Sequence, residues 1–280
     1  MAEVRWDPEV YLRFADHRER PFHELLARVE VAMVGRAPSR VLDLGCGPGT
    51  LTRTLLDRWP GASVLGVDSS PEMVERARSV QDAGDGRFAA ELGDLRTWAP
   101  GEGERFDVVV TNATLQWVPG HLELLPRLVG LLAPGGVLAL QVPGNFDSPS
   151  HVLLAGLRSE PRWRGRLGAA AERAASSADP GDYLEALATL GCDVDAWETT
   201  YAQVLPGDDA VLRWMEGTGL RPVLTALDAG DPTGADRERF LAEYAELLRG
   251  AYPLRPWGTV LPFRRVFAVA RTATSSSDDS

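Results

Sequence analysis

Apolar positions along the 280-residue chain follow two alternating rhythms. Between Pro21 and Gly35, the residues Phe22, Leu25, Leu26, Val29 and Met33 recur at helical spacing, which predicts a helix leading into a short apolar strand, Arg40 to Leu44. "LTRTLLDRWP" reads as the next helix, stopped by Pro60, and "ASVLGVDSS" as a second strand ending in an acid. "SPEMVERARSV" then offers Ser70 as a cap, Pro71 at the first helical position and Glu72 in the first turn. "GRFAAELGDL" predicts a third strand ending near Asp94, and "FDVVVTNAT" a fourth that is apolar on both faces. A helix around Leu122 to Leu132, ended at "APGG", precedes a fifth strand in "GVLALQVPGN".

Continuous apolar strands separated by helices predict a parallel sheet covered on both faces, because parallel pairing needs crossover connections that bury both sides. The expected class is therefore a doubly wound α/β fold, taken as one enlarged domain. Beyond residue 145 the pattern loosens. Residues 147 to 182 read as a helix, a mobile crossing and another helix start. "YLEALATLGCDVDAWETTYAQVL" reads as helix, glycine stop and strand, and "LPFRRVFAVART" as one more strand. Between them, residues 206 to 252 are mostly helical in pattern and predict a cap over the sheet. The expected organisation is a helical N-terminal segment over 1–37 that contributes to the active site, a core over 38–145, and a remainder over 146–272 carrying the last two strands and the cap. A polar tail over 273–280 is expected to be disordered.

Charge narrows the partners. Forty acidic against 29 basic residues give a formal charge of -11, which argues against a nucleic-acid or membrane-surface binder but leaves room for a local basic pocket. The two cysteines, Cys46 and Cys192, are too few for a disulfide framework, and no metal-ligand spacing occurs. The N-terminus carries no apolar targeting region. The expectation is a cytoplasmic protein, monomeric or homodimeric, acting on a small molecule.

In open α/β sheets ligands bind outside the carboxyl ends of the strands. Three of the four candidate strand ends carry an acid: Asp43, Asp68 and Asp94. A carboxylate at the end of the second strand can accept hydrogen bonds from both vicinal hydroxyls of a ribose, which points to a nucleoside ligand. The glycine turn "VLDLGCGPGT" then chooses between a dinucleotide and S-adenosylmethionine. A dinucleotide calls for G-x-G-x-x-G, whereas Gly45, Gly47 and Gly49 place the third glycine one position early. Asp43 immediately before the turn would repel a pyrophosphate and suit the cationic amino-acid end of S-adenosylmethionine. The electrostatics favour the methyl donor over a nicotinamide cofactor.

"VLDLGCGPGTLT", "VLGVDSSPEMVERAR", "GDL" and "DVVVTNATLQWV" resemble the successive motifs of the class I S-adenosylmethionine-dependent methyltransferases. The resemblance implies a Rossmann-like fold with a mostly parallel seven-stranded sheet and helical cap insertions. It also implies cofactor contacts at Asp43, Gly45, Gly47, Asp68, Ser69, Met73, Asp94, Leu95 and Asn112. Further stretches outside those motifs, among them "WDPEVYLRFADHRERPFHELLARV", "QVPGNFDSPSH", "GCDVDAWETTY", "GLRPVL", "AYPLRPWG" and "LPFRRVFAVA", are similar to methyltransferases that esterify a carboxylate of a small tricarboxylic acid.

That chemistry sets the expectations for the acceptor site. A carboxylate with an ordinary pKa of about 4 is already ionised at neutral pH, so no general base is needed and catalysis reduces to orientation. None of the four histidines is expected to act as a base. A polyanionic acceptor instead calls for arginine, whose planar fork pairs with a carboxylate. The candidates are Arg20, Arg221 and Arg264, with Arg18 and Arg265 behind them. Gln116 and Trp117 follow the fourth strand, Gln116 as a polar contact and Trp117 either as a contact or as packing; Tyr11 could shield the site. Cys46 is expected to be a packed residue. A methyltransferase acting on another small acid or natural product, a nicotinamide-dependent oxidoreductase and a cofactor-binding regulator remain as alternatives.

Overall fold

The computed structural model describes residues 15–81, 86–167 and 176–274. Tyr11, with the rest of 1–14, and the tail from 275 onward lie outside them. The strands are β1 (Arg40–Leu44), β2 (Ser63–Asp68), β3 (Phe88–Leu92), β4 (Phe106–Asn112), β5 (Leu132–Pro143), β6 (Asp193–Leu205) and β7 (Thr259–Arg271). They form one seven-stranded sheet in the order β3-β2-β1-β4-β5-β7-β6. Pairing from β3 through β5 is parallel, and β7 joins β5 antiparallel. This is the doubly wound arrangement that the sequence predicts, with the strand order reversing beside β1.

Continuous apolar runs explain the centre of the sheet. Val41, Leu42, Val108, Val109, Val110, Val137, Leu138, Ala139 and Leu140 are all buried, because helices cover both faces. One face packs Leu42, Val109, Leu138, Leu140, Val266 and Ala268 against Leu125, Leu128, Tyr183 and Leu187 from the helices Leu125–Val129 and Pro180–Thr189.

The chain packs as two compact units. Among the described residues, the sheet unit comprises 16–81, 86–143, 177–199 and 265–274, and the helical unit 144–167 and 200–264. In the helical unit, helices Pro149–Ser159, Pro161–Leu167, Ala210–Glu216, Arg221–Gly230 and Ala235–Ala251 bury Trp163, Trp214, Leu220, Val223, Phe240 and Tyr244. Trp163 donates Nε1–H to Glu243 at 2.9 Å, and the Tyr244 hydroxyl donates to the Ser150 carbonyl at 2.8 Å, so each large side chain has its polar end satisfied.

Local departures from the sequence reading have identifiable causes. The first helix runs Ala15–Ala32 with Pro21 inside it, not from Pro21 onward. The third strand stops at Leu92 rather than near Asp94: Gly93 N–H turns back to the Asp68 carbonyl at 2.9 Å, and Asp94 opens a turn. Instead of one helix over 122–132, a 3₁₀ turn His121–Leu124 precedes a helix Leu125–Val129, and β5 begins at Leu132. "APGG" is absorbed as a bulge, since Phe106 and Val108 of β4 face Leu132 and Val137 of β5.

Candidate active site

The glycine turn after β1 is tied to the end of β2. Gly45 N–H and Cys46 N–H both donate to the Val67 carbonyl, at 2.7 and 3.2 Å, and Gly47 N–H donates to Asp68 Oδ2 at 2.9 Å. Gly45 and Gly47 adopt positive φ angles of 81 and 55 degrees, a region that L side chains avoid. Gly45 also has a spatial reason. A Cβ at Gly45 would lie 2.1 Å from Thr114 Oγ1, because Ala113, at φ 53 degrees, bends the chain after β4 back onto the turn. A Cβ at Gly47 would meet nothing within 4 Å; the backbone there borders open space beside Asp68.

Asp68 is fixed from both sides, with Oδ2 on Gly47 N–H and Oδ1 on Ser70 N–H, each at 2.9 Å. Three backbone donors do not exhaust the four lone-pair sites of a carboxylate, so Asp68 can still accept from a ligand hydroxyl. Burial pushes its pKa up, opposed by the hydrogen bonds from Ser70, Gly47 and Ser69. Ser70 also accepts the Met73 N–H at 3.3 Å, which caps helix Pro71–Gln81, and Met73 is buried in its first turn.

Asp43 is 4% exposed and accepts the Thr52 hydroxyl at 2.7 Å. Burial pushes its pKa up to about 7; the Thr52 bond pulls it down and the Asp68 charge adds to the rise. Cys46 lies beside both acids, and burial first and then their charges push its thiol far upward. It is a packed residue, not a nucleophile.

The other expected cofactor positions lie in the same unit with different environments. Leu95 is half-buried against the sheet core. Ser69 is exposed. The Asp94 carboxylate is engaged by Arg96 through its backbone N–H at 2.9 Å and through the guanidinium, which holds the carboxyl below its usual range. Asn112 ends β4, and its Oδ1 is buried with no hydrogen-bond partner among the described residues.

The expected acceptor residues divide between the units. In the sheet unit, Gln116 is buried and donates Nε2–H to the Ala113 carbonyl at 2.6 Å, leaving Oε1 buried without a partner among the described residues; Trp117 beside it is 38% exposed. Arg20 is exposed and pairs with Glu24 at 2.8 Å, one turn along its own helix. In the helical unit, Arg221 opens helix Arg221–Gly230 and makes no ion pair among the described residues, and Arg264 donates to the Gly144 carbonyl at 3.2 Å. Tyr11 lies outside the described residues.

Burial lowers the pKa of His121, which shares a 2.6 Å hydrogen bond with the Tyr183 hydroxyl. Burial lowers that of His151 to about 4, within the Ser148 and Ser150 hydroxyls of the helical unit. Among the described residues no group of three His, Cys, Asp or Glu side chains could hold a metal ion, and no helix is long and apolar enough to cross a membrane.

Sequence reasoning passed over Thr52, Thr114 and Gln141. Gln141 had a visible signal, a lone polar residue inside the apolar run of β5. Thr52 and Thr114 had none, because their roles depend on where the turns bring them.

A family model described as a methyltransferase domain matches residues 41–136. A trans-aconitate 2-methyltransferase from Streptomyces avermitilis is 54% identical over 96% of this chain and 97% of its own. This chain belongs to the trans-aconitate 2-methyltransferase family. A second such relative, from Rhodococcus jostii, is 52% identical over 95% of this chain and 99% of its own. A crystal structure of the plantazolicin methyltransferase in complex with SAH shares the fold at a TM-score of 0.52 and 15% identity, over 95% of this chain and 88% of that one. As a trans-aconitate 2-methyltransferase family member the chain is an S-adenosylmethionine-dependent enzyme, and the turn fits that cofactor: open space beside Gly47 lies against a carboxylate with acceptor capacity to spare.

Proposed function

We propose that the chain transfers the methyl group of S-adenosylmethionine to a carboxylate of trans-aconitate, giving a monomethyl ester. The observation that carries this reading is the match of 54% over 96% of the chain, which extends far beyond the cofactor-binding turn shared by all class I methyltransferases. When bound, S-adenosylmethionine supplies an electrophilic methyl on a sulfonium centre. Asp68 accepts from the ribose hydroxyls, Gly47 leaves room for close approach, and Asp43, in its ionised form, places negative charge behind the turn, favouring a cationic ligand end. Met73, Leu95, Asp94 and Asn112 are assigned to the remaining cofactor contacts.

The acceptor carboxylate is ionised at neutral pH and needs no base, so the protein's contribution is to bind, orient and exclude water. Arg221, Arg264, Arg20, Gln116, Trp117 and Tyr11 are the acceptor contacts we assign. With both cysteines free and buried and a formal charge of -11, we read the protein as cytoplasmic, monomeric or homodimeric, and acting on a small tricarboxylate rather than on nucleic acid. Incubation with the methyl donor and trans-aconitate, followed by mass spectrometry, is expected to show one added methyl group on the acid and equimolar demethylated cofactor. Consumption of neither compound would refute the proposal.

A further inference from the structure

Alternation along a strand fixes which side chains share a face, and register carries that face across the sheet. Asp43 of β1 lies beside Val110 of β4, and Asn112, two residues on, lies beside Gln141 of β5. Gln141 lies beside Phe267 of β7, and the next pair on that face is Pro143 with Arg265. Asp43, Asn112, Gln141 and Arg265 therefore project from one face of the sheet unit, toward the carboxyl edge where the cofactor turn lies.

Two of these side chains are polar groups in the wrong place for packing alone. Gln141 is 1% exposed and Arg265 is 4% exposed. Arg265 Nη1 donates to Gln141 Oε1 at 3.2 Å, which turns the Gln141 Nε2 donors away from that contact. Nε2 is buried and meets no acceptor among the described residues. Stranding a buried amide N–H is unfavourable enough that native structures retain it mainly where something else accepts the bond. Trp197 stacks on Phe267 with ring centroids 4.8 Å apart and planes 3 degrees from parallel, so the strand carrying the arginine is braced.

We infer that Gln141 and Arg265 form a carboxylate subsite for the acceptor, with Arg265 supplying the charge and Gln141 Nε2 a second donor. This rests on the function proposed above and names which residues in the sheet unit recognise one of the acceptor's carboxylates. A guanidinium beside a carboxamide offers directional N–H donors of fixed spacing to a carboxylate, which a point charge does not. The neighbouring Arg264 does not share this role: alternation sends it off this face, and it donates to the Gly144 carbonyl within the helical unit.

Gln141→Glu separates recognition from support. It keeps the size of the side chain and places a carboxylate against Arg265, which neutralises the subsite and repels an anionic acceptor while tightening any structural contact between the two residues. The expected result is a KM for trans-aconitate raised thirtyfold or more, with the affinity for the demethylated cofactor moving less than twofold. Arg265→Lys, which keeps the charge and loses the fork, is expected to raise the same KM about tenfold, and it serves as the test if the first variant does not fold. A dicarboxylate lacking one of the acceptor's carboxyl groups adds a second readout. The unsubstituted enzyme should prefer the tricarboxylate, and Gln141→Glu should lose most of that preference. Turnover by the unsubstituted enzyme with an unchanged KM and preference in both variants overturns the subsite and leaves the proposed function standing. No turnover of trans-aconitate by the unsubstituted enzyme removes both.

Discussion

Asp43→Asn should make the cofactor-free protein more stable and a poorer cofactor binder, and the stability gain should depend on pH in one direction. In the unfolded chain this carboxyl ionises near 3.8; in the folded protein burial delays ionisation to about 7. A folded pKa above the unfolded one means that the contribution favouring folding is complete below about pH 4 and is lost as pH rises through about 7. At about 1.4 kcal/mol per pH unit, the buried charge opposes folding by up to about 4 kcal/mol at pH 8. Asparagine has no such charge and keeps an oxygen for the Thr52 hydroxyl. Thermal melts followed by circular dichroism should therefore show nearly equal midpoints at about pH 4 and below, with the gap opening as pH rises toward 7. At pH 8 the variant should lie on the order of 5–10 °C higher. Calorimetric titration at pH 8 should show the variant binding S-adenosylmethionine at least tenfold more weakly, as expected for loss of a charge-assisted contact of about 1.5–3 kcal/mol. A midpoint difference of the same size at both pH values, or undiminished cofactor affinity, would sink the reasoning, because either outcome would mean that the charge on Asp43 is not what the burial strains and the ligand uses.

Other consequences are as direct. Asp68→Ala should weaken cofactor binding more than tenfold, about 1.4 kcal/mol or greater, because both ribose hydroxyls lose their acceptor; unchanged binding in the same titration would place the ribose elsewhere. Gly45→Ala should lower stability by on the order of 2–3 kcal/mol, combining a positive φ with a Cβ placed 2.1 Å from Thr114 Oγ1. Adding Thr114→Gly should recover part of that loss, and strict additivity of the two melts would show that the contact is not the cause. Arg221→Ala should raise the KM for trans-aconitate while leaving cofactor affinity nearly intact, and equal loss of both in steady-state and binding measurements would rule out an acceptor role.

The parts of the fold legible in the sequence were those decided by local chemistry. β1, β2 and β4 announce themselves as apolar runs because both their faces are covered, and the turn after β1 is legible because positive φ selects glycine. The parts that were not legible depend on tertiary pairing. The start of β5 at Leu132 cannot be read from "LLAPGG", where proline and glycine signal a break; the strand begins there because Phe106 offers a partner across a bulge. Likewise the third strand ends at Leu92 because Gly93 is recruited by the backbone of β2, an event with no local signature.

The site divides along the same line, and the division explains why the arginines were the least legible residues of all. Asp43 and Asp68 are marked by position, each at or next to a strand end; Asp68 accepts from Gly47 N–H of the turn, and Asp43 from the Thr52 hydroxyl of the helix that follows it. Arg264 and Arg265 are adjacent, equally charged and on the same strand, so composition and spacing treat them alike. Only the direction of alternation separates them, and direction is set by which residue of β5 each one faces. Because Arg265 lies opposite Pro143, and Gln141 lies two residues back on the same face, one arginine joins the row that includes Asp43 and the other leaves it. For a reaction whose nucleophile needs no base, that choice of face is where acceptor specificity in the sheet unit is decided: a subsite of fixed donors selects a carboxylate and orients it, and no proton has to be moved to make it react.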